Sequence, residues 1–181
     1  MSTDKPIPPL IKDSITLVRI TSKAPSLRFL FSHPAHLVAC GFGSGLSPVA
    51  PGTVGTLFAW FTFPLLRMGM NDALLLGFLV AGFIGGAFAA HRTGRDLGVV
   101  DHGSIVWDEI VPFWMVLYFC PATWLWQTVA FFLFRFFDIV KPQPARYFDE
   151  KVKNGLGVMT DDLVAAAYTV LTLAIVRYLL P

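Results

Sequence analysis

Charged side chains are scarce in this sequence. Asp, Glu, Lys and Arg make up only 14% of the 181 residues, whereas soluble domains carry charge at roughly 25% of positions. Hydrophobic residues reach 55% and the mean hydropathy is +0.62. A water-soluble domain is therefore disfavoured. The composition indicates an integral membrane protein whose length suits one domain.

Other classes are excluded by what is missing. The only cysteines are Cys40 and Cys120, without any CxxC or Cys/His pattern for zinc or iron, so we interpret both as packing residues. The net charge of +2 and the absence of a basic run exclude nucleic acid as a partner. The amino terminus lacks the apolar core and cleavage site of a secretory signal. No obligatory protein partner is evident, and we expect partners in the lipid phase.

Apolar segments predict an all-α, polytopic membrane helical bundle with short or re-entrant helices. The predicted spans are 53–66, 73–90, 110–120 with 124–137 after a pause at Pro121, and 163–180. Prolines and scattered bases in residues 1–35 predict a flexible amino-terminal cytoplasmic arm, which leaves 36–181 as one membrane-embedded domain. Basic residues cluster in this arm, in a predicted polar loop around residues 91–96, and in residues 141–153, so all three segments should face the cytoplasm.

Acidic residues stand where three apolar spans meet water. They are found in DHGSIVWDE (residues 101–109), at Asp138, and at Asp161 with Asp162. Carboxylates are suitable ligands for a hard divalent cation. Because an unpaired charge in or next to a membrane costs free energy, acidic residues at such positions indicate a function. We therefore predict an interfacial metal site whose ligands are Asp108, Glu109, Asp138, Asp161 and Asp162.

Each cluster also has a structural interpretation. Thr160, Asp161 and Asp162 could cap the last helix. The spacing of three between Arg135, Asp138 and Lys141 predicts that they share one helical face. There, Asp138 could form a structural ion-pair cluster with the two cations, or it could bind a metal while the two cations bind phosphate oxygens.

The predicted chemistry is metal-assisted attack on a phosphoryl group. A bound metal lowers the pKa of its water and supplies a nucleophile. His102, beside Asp101, could donate a proton to the leaving oxygen, or could be a loop histidine bonded to nearby backbone. An aspartyl nucleophile at Asp101 or Asp108 stays open as the alternative to water.

A glycine-rich stretch, CGFGSGLSPVAPGTVGT, precedes the first span. Its glycines and prolines indicate a segment without regular helix before the apolar run Leu57–Leu66. Backbone N–H groups there could cradle a phosphate, or the glycines could simply allow close packing. The phosphate-binding candidates are Gly43, Ser44, Ser47, Gly52 and Thr53, with Arg135 and Lys141 as headgroup cations.

Three long stretches resemble the phosphatidylglycerophosphatase A family: GFGSGLSPVAPGTVGT, DHGSIVWDE and FRFFDIVKPQPARYFDEKVKNGLGVMTDDLVAA. The resemblance covers about residues 33–170. It implies a magnesium-dependent enzyme of the bacterial inner membrane that hydrolyses phosphatidylglycerophosphate to phosphatidylglycerol and inorganic phosphate. It also implies metal-site roles for the acidic residues of DHGSIVWDE, for Asp138 and for the Asp161–Asp162 pair, with Lys141 beside them.

Two other functions are weighed against this one. A small divalent-cation transporter would also use membrane carboxylates, but near the bilayer midplane rather than at span ends. Another phospholipid-headgroup enzyme, a CDP-alcohol phosphotransferase, would need Asp-Gly motifs, and Asp-Gly does not occur. Covalent phosphatase motifs of the DxDx[TV] and Cys-x5-Arg types are missing too, which favours a metal-activated water.

Overall fold

The computed structural model describes residues 24–152 and 154–179, and throughout these ranges the regular structure is helical, which confirms the all-α prediction. The helices are α1 (Leu27–Leu30), α2 (Pro34–Ala39), α3 (Pro51–Gly69), α4 (Asp72–Leu97), α5 (Trp107–Phe119), α6 (Trp124–Val140), α7 (Ala145–Lys151) and α8 (Gly155–Leu179), with a 3-10 segment at Gly41–Leu46. Most of the predicted arm, residues 1–23, lies outside the described residues. The described part of the arm contains α1 and the start of α2.

Helix α5 is the centre of the bundle and packs against α3, α4 and α8. Ile110, Val111, Phe113 and Val116 on this helix are fully buried. A helix that is apolar on all sides is stable only inside other apolar surface. The acidic start of α5 lies against the start of α3 and the last turns of α6, because Glu109 contacts Thr56 and Arg135.

Two helices in the described part of the chain, α4 and α8, are long and apolar enough to cross a membrane. At ~1.5 Å per residue they rise by nearly 40 Å, compared with ~30 Å for the hydrocarbon core. Helix α5 has only 13 residues and rises by about 20 Å. The two long helices support the interpretation of the chain as a membrane protein. The shorter helices α3, α5 and α6 pack between or beside them.

The expectation of irregular backbone up to the first apolar run is wrong. Helix α3 already begins at Pro51, after Ala50 in a left-handed conformation, and contains Gly52 and Gly55. A Cβ atom at Gly55 would lie 2.8 Å from the Cβ of Val106. Close packing against the segment before α5 therefore favours helix here despite the low helix propensity of glycine.

The predicted polar loop around residues 91–96 is also helical, because α4 continues to Leu97. Asp96 accepts hydrogen bonds from Arg92 Nε at 2.8 Å and pairs with His36 Nε2 at 2.9 Å. The Thr93 hydroxyl donates to the Ala35 carbonyl at 3.4 Å. These contacts with α2 stabilise the polar end of α4 as helix.

The capping interpretation of residues 160–162 is wrong as well. Helix α8 begins at Gly155, and the Asn154 side chain accepts from the N–H groups of Leu156 and Gly157, each at 3.0 Å. Asp161 and Asp162 therefore lie inside the helix. Both are buried.

Candidate active site

Carboxylates from three helices lie close together at one end of the bundle. Asp108 and Glu109 are in the first turn of α5, Asp138 is near the end of α6, and Asp161 and Asp162 are in the second turn of α8. Asp108 experiences Coulombic repulsion from Glu109, Asp161 and Asp138, and Asp162 experiences it from the same group. The acidic segments predicted from the sequence are thus neighbours in the fold.

Glu109 is held by a cation and a hydroxyl from two other helices. Arg135 Nη1 of α6 donates to Glu109 Oε2 at 2.5 Å, and the Thr56 hydroxyl of α3 donates to the same oxygen at 3.0 Å. Gly52 lies one turn before Thr56, and a Cβ there would collide with the Glu109 carboxylate. The start of α3 therefore makes room for this side chain.

The two predicted headgroup cations are both engaged with carboxylates. Arg135 Nη1 also lies 2.8 Å from Asp138 Oδ2, so one nitrogen bridges α5 and α6. Lys141 Nζ is 2.6 Å from Asp161 Oδ2 of α8. Lys141 follows the last residue of α6 in a left-handed conformation, with φ of 48°. The predicted common face of Arg135, Asp138 and Lys141 therefore ends before Lys141, which turns toward α8 instead.

Asp162 carries an orphaned polar atom. Its Oδ1 is buried without a hydrogen-bond partner among the described residues, and the residue is only 4% exposed. In the neighbouring carboxylates, Asp108 Oδ1 accepts from the Glu109 N–H and Asp161 Oδ1 accepts from the Asp162 N–H, each at 3.1 Å. A buried carboxylate oxygen without a donor is costly, so the position of Asp162 favours a bound cation.

The donor chemistry fits magnesium, because every candidate ligand is an oxygen. A preformed coordination site is not present among residues 24–152 and 154–179, because no three acidic, histidine or cysteine side chains there converge as metal ligands. The orphaned Asp162 oxygen and the gathering of carboxylates from three helices agree with a cation here.

The predicted proton donor has a clear hydrogen-bond arrangement. His102 is 5% exposed, and its Nδ1 accepts from the Ser104 N–H at 3.1 Å. An accepting Nδ1 places the proton of the neutral ring on Nε2. Burial lowers the pKa of His102, which nearby Asp101 only partly opposes. This is the geometry of the structural alternative, a loop histidine bonded to backbone, and the proton-donor role stays a prediction. Asp101 itself is exposed.

The glycine-rich segment packs against the chain that leads into α5. A Cβ at Gly45 would meet the Ser104 carbonyl, and one at Gly41 would meet Ile110 and Val106. The Ser44 hydroxyl donates to the Gly41 carbonyl at 2.8 Å, and the Ser47 hydroxyl donates to the Val49 carbonyl at 2.8 Å. These observations agree with the packing interpretation.

The remaining phosphate candidates occupy two places. Gly43 has φ of 104°, and Thr53 lies in the first turn of α3. Their role toward a phosphate stays a prediction. Burial raises the pKa of the Cys40 thiol, at the start of this segment, to about 11, in line with a packing residue.

Thr56 is a site residue that the sequence reasoning missed. It is fully buried and contacts both Glu109 and, at 3.4 Å, Arg135 Nη1. The available signal was its position, a hydroxyl one turn into a largely apolar helix, but threonine commonly bonds its own helix backbone, and Thr56 also lies 3.0 Å from the Gly52 carbonyl. Only the contact with α5, 53 residues away, distinguishes the two cases.

Comparison with known proteins gives the family. The family model described as Phosphatidylglycerophosphatase A matches residues 37–177. A protein named Phosphatidylglycerophosphatase A from Haemophilus influenzae is 44% identical over 160 residues, covering 88% of this chain and 98% of the relative. The protein of that name from Escherichia coli is 43% identical over 142 residues, covering 76% and 80%.

A third relative, from Bacteroides thetaiotaomicron, is provisionally named a phosphatidylinositol-3-phosphatase; it is 38% identical over 154 residues, covering 80% of this chain and 94% of its own length. No solved structure matches. The family match runs from the end of α2 into the last turn of α8 and so includes every helix that contributes to the acidic site. The chain belongs to the phosphatidylglycerophosphatase A family.

Proposed function

We propose that this chain hydrolyses phosphatidylglycerophosphate to phosphatidylglycerol and inorganic phosphate. The observation that carries the proposal is the 43–44% identity to two proteins named phosphatidylglycerophosphatase A, over most of this chain. The geometry agrees with a reaction on a charged headgroup, because the acidic and basic side chains gather where α5 begins and α6 ends. A transporter site near the middle of the spans is not favoured by that position.

Magnesium is part of the proposal. The site has five carboxylates, at residues 108, 109, 138, 161 and 162, and the two cations described above, Arg135 and Lys141, pair with three of them. An excess of negative charge repels a phosphate, so an additional cation is needed for the headgroup to approach. A divalent ion there would supply that charge and a water of lowered pKa.

The carboxylates differ in how free they are to hold such an ion. Asp162 has an oxygen without a partner in the described part of the chain, and Asp108 is buried beside it under the repulsion of its acidic neighbours. Glu109 and Asp161 are already bound to Arg135 and Lys141. We therefore propose Asp108 and Asp162 as the principal ligands, with Asp138 adjacent.

The cations have a second role in this proposal. Arg135 orients Glu109 and Asp138, while Lys141, which is 26% exposed, is the more accessible cation for a phosphate oxygen. The nucleophile is a water activated near Asp108 and Asp162, and an aspartyl nucleophile at Asp101 or Asp108 is the alternative to test. His102 in its neutral form carries a proton on Nε2 that can be shared with the leaving oxygen.

We also propose that the chain is a multi-pass protein of the bacterial cytoplasmic membrane with its site on the cytoplasmic face. The last turns of α4 carry Arg92 and Arg95, and the chain returns through residues 98–106 to Asp108, so the basic residues and the carboxylates lie in the same half of the bundle. Basic segments are retained on the cytoplasmic side.

The test is phosphate release from phosphatidylglycerophosphate by the purified protein in detergent, first with magnesium and then with a chelator. Asp162→Asn should lower turnover at least about tenfold, because it removes a ligand charge. The matched control is Asp72→Asn, since Asp72 is exposed and pairs with Arg67 at the far end of α4.

Each result has a distinct meaning. No release by the wild-type protein would contradict the proposed hydrolysis. Release that survives the chelator, or an Asp162→Asn protein as active as the control, would contradict the metal site alone. A parallel assay with phosphatidylinositol 3-phosphate decides the headgroup, and a clear preference for that lipid would replace the proposed substrate.

A further inference from the structure

An apolar groove follows α4 beside the candidate site. It has a volume of about 510 Å³ and is formed by α2, α4 and the first residue of α5. Its walls include Val38, Gly82, Gly85, Phe88 and Trp107. Volumes of ~300–1,000 Å³ are typical of ligand sites.

We propose that this groove holds one acyl chain of the anionic phospholipid substrate, an inference that rests on the proposed function. The groove spans α4 from Gly82 to Arg92. About ten residues at ~1.5 Å give a length of about 15 Å, which is half of the ~30 Å hydrocarbon core. The groove therefore matches the depth of a single leaflet.

One wall of the groove leads directly to the carboxylates. The Trp107 indole N–H donates to the Gly82 carbonyl at 2.9 Å, and its ring packs on Gly86, where a Cβ would collide with it. The next residue is Asp108. A chain lying along Trp107, with its headgroup toward Arg92, therefore passes beside the start of α5.

The rim of the groove suits an anionic headgroup. Arg92 lines it and shares Asp96 with His36. Arg95 is exposed one turn further along, and no ion pair is found for it in the part of the chain that the structure describes. The rim therefore has a positive excess, and surface bases attract anionic lipid headgroups.

The groove acts by orientation rather than by hydrophobic affinity. Lipid tails are as apolar as the groove, so an acyl chain gains little free energy by moving into it from the bilayer. Holding the chain in one place instead aligns the headgroup with the carboxylates. Filling the groove should therefore lower kcat more than it raises KM.

The test uses the full-length protein in lipid nanodiscs and two matched glycine variants. Gly85→Leu fills the groove, and Gly77→Leu adds the same side chain elsewhere on α4. At both positions, no atom lies within 4 Å of the place that an added Cβ would occupy, so both have room. We expect Gly85→Leu to lower kcat at least about fivefold and Gly77→Leu to leave it unchanged.

A second measurement does not depend on activity. Phosphatidylglycerophosphate with a diazirine in one acyl chain is photo-cross-linked to the wild-type protein, and the attached peptides are mapped. We expect labels on residues 33–38 and 82–89, fewer in Gly85→Leu, and fewer with a phosphatidylcholine of the same chains. Labels spread evenly over all lipid-facing helices, or equal kcat values in the two variants, would refute the proposal that the groove binds an acyl chain of the substrate. Groove labelling without phosphate release would instead overturn the proposed function.

Discussion

Replacing Arg135 by Gln removes the cation that holds two carboxylates together at the candidate site. Arg135 Nη1 lies 2.5 Å from Glu109 and 2.8 Å from Asp138, and the three side chains are 12–15% exposed. Breaking a buried ion pair by removing one partner costs about 3–5 kcal/mol, because the remaining charge is uncompensated. In a chain of this size, each 1 kcal/mol shifts Tm by about 2–4 °C, so we expect a fall of about 6–20 °C.

The assay is thermal unfolding in detergent with a chelator present, followed by tryptophan fluorescence. The matched control is Arg67→Gln, because the Arg67–Asp72 pair has side chains that are 46% and 72% exposed. Surface pairs contribute at most about 1 kcal/mol, so the control should lose no more than about 4 °C.

A double variant gives the sharper test. In the Arg135→Gln background, Glu109→Gln removes one of the two stranded charges and should raise Tm, whereas in the wild type the same change should lower it. Equal losses in Arg135→Gln and Arg67→Gln, or a further fall in the double variant, would refute the bridging role of Arg135.

Three further predictions concern other parts of the molecule. Gly52→Ala should lower turnover at least about tenfold, because the added Cβ would displace the Glu109 side chain. The control is Gly69→Ala at the end of the same helix, where the added Cβ meets no atom and turnover should not change. Equal activities of the two variants would show that Gly52 is not needed for the position of Glu109. Burial lowers the pKa of His102 from its usual value of 6.5, so the neutral ring stabilises the folded protein above pH 6.5, and this stabilisation is lost as the pH falls below that value. The fall in Tm on acidification should therefore be smaller in His102→Gln than in the wild type. An identical fall in both proteins would count against a buried neutral ring. A cysteine at Gly103, which has open space around it, should react with an impermeant maleimide only from the cytoplasmic side in a background without the native cysteines, and labelling from outside would reverse the topology.

The sequence predicts the helical segments well where hydrophobicity alone decides. The pause at Pro121 separates α5 from α6 as expected, because proline and polar neighbours interrupt both the apolar run and the helix. The sequence also places Asp108, Glu109 and Asp138 near the ends of their helices, whereas Asp161 and Asp162 lie one turn inside α8.

The errors arise where distant contacts stabilise a local structure. The end of α4 has the composition of a loop, but Asp96 pairs with His36, 60 residues away. The role of Thr56 depends on Glu109 in another helix. Neither partner is visible in a local window, so propensity and periodicity could not have predicted these contacts.

The short central helix has a consequence for the membrane around the protein. Helix α5 ends at Phe119 while its neighbour α8 continues to Leu179, and a cavity of about 490 Å³ opens between their ends, lined by Val116, Phe119, Leu173 and Arg177 among others. The hydrophobic height of the bundle is therefore uneven. Lipid that borders this gap must thin or reach into it, and the long Arg177 side chain can extend from it toward the headgroups. A thicker bilayer raises the free-energy cost of this mismatch, so the stability of the bundle depends on the thickness of the membrane around it.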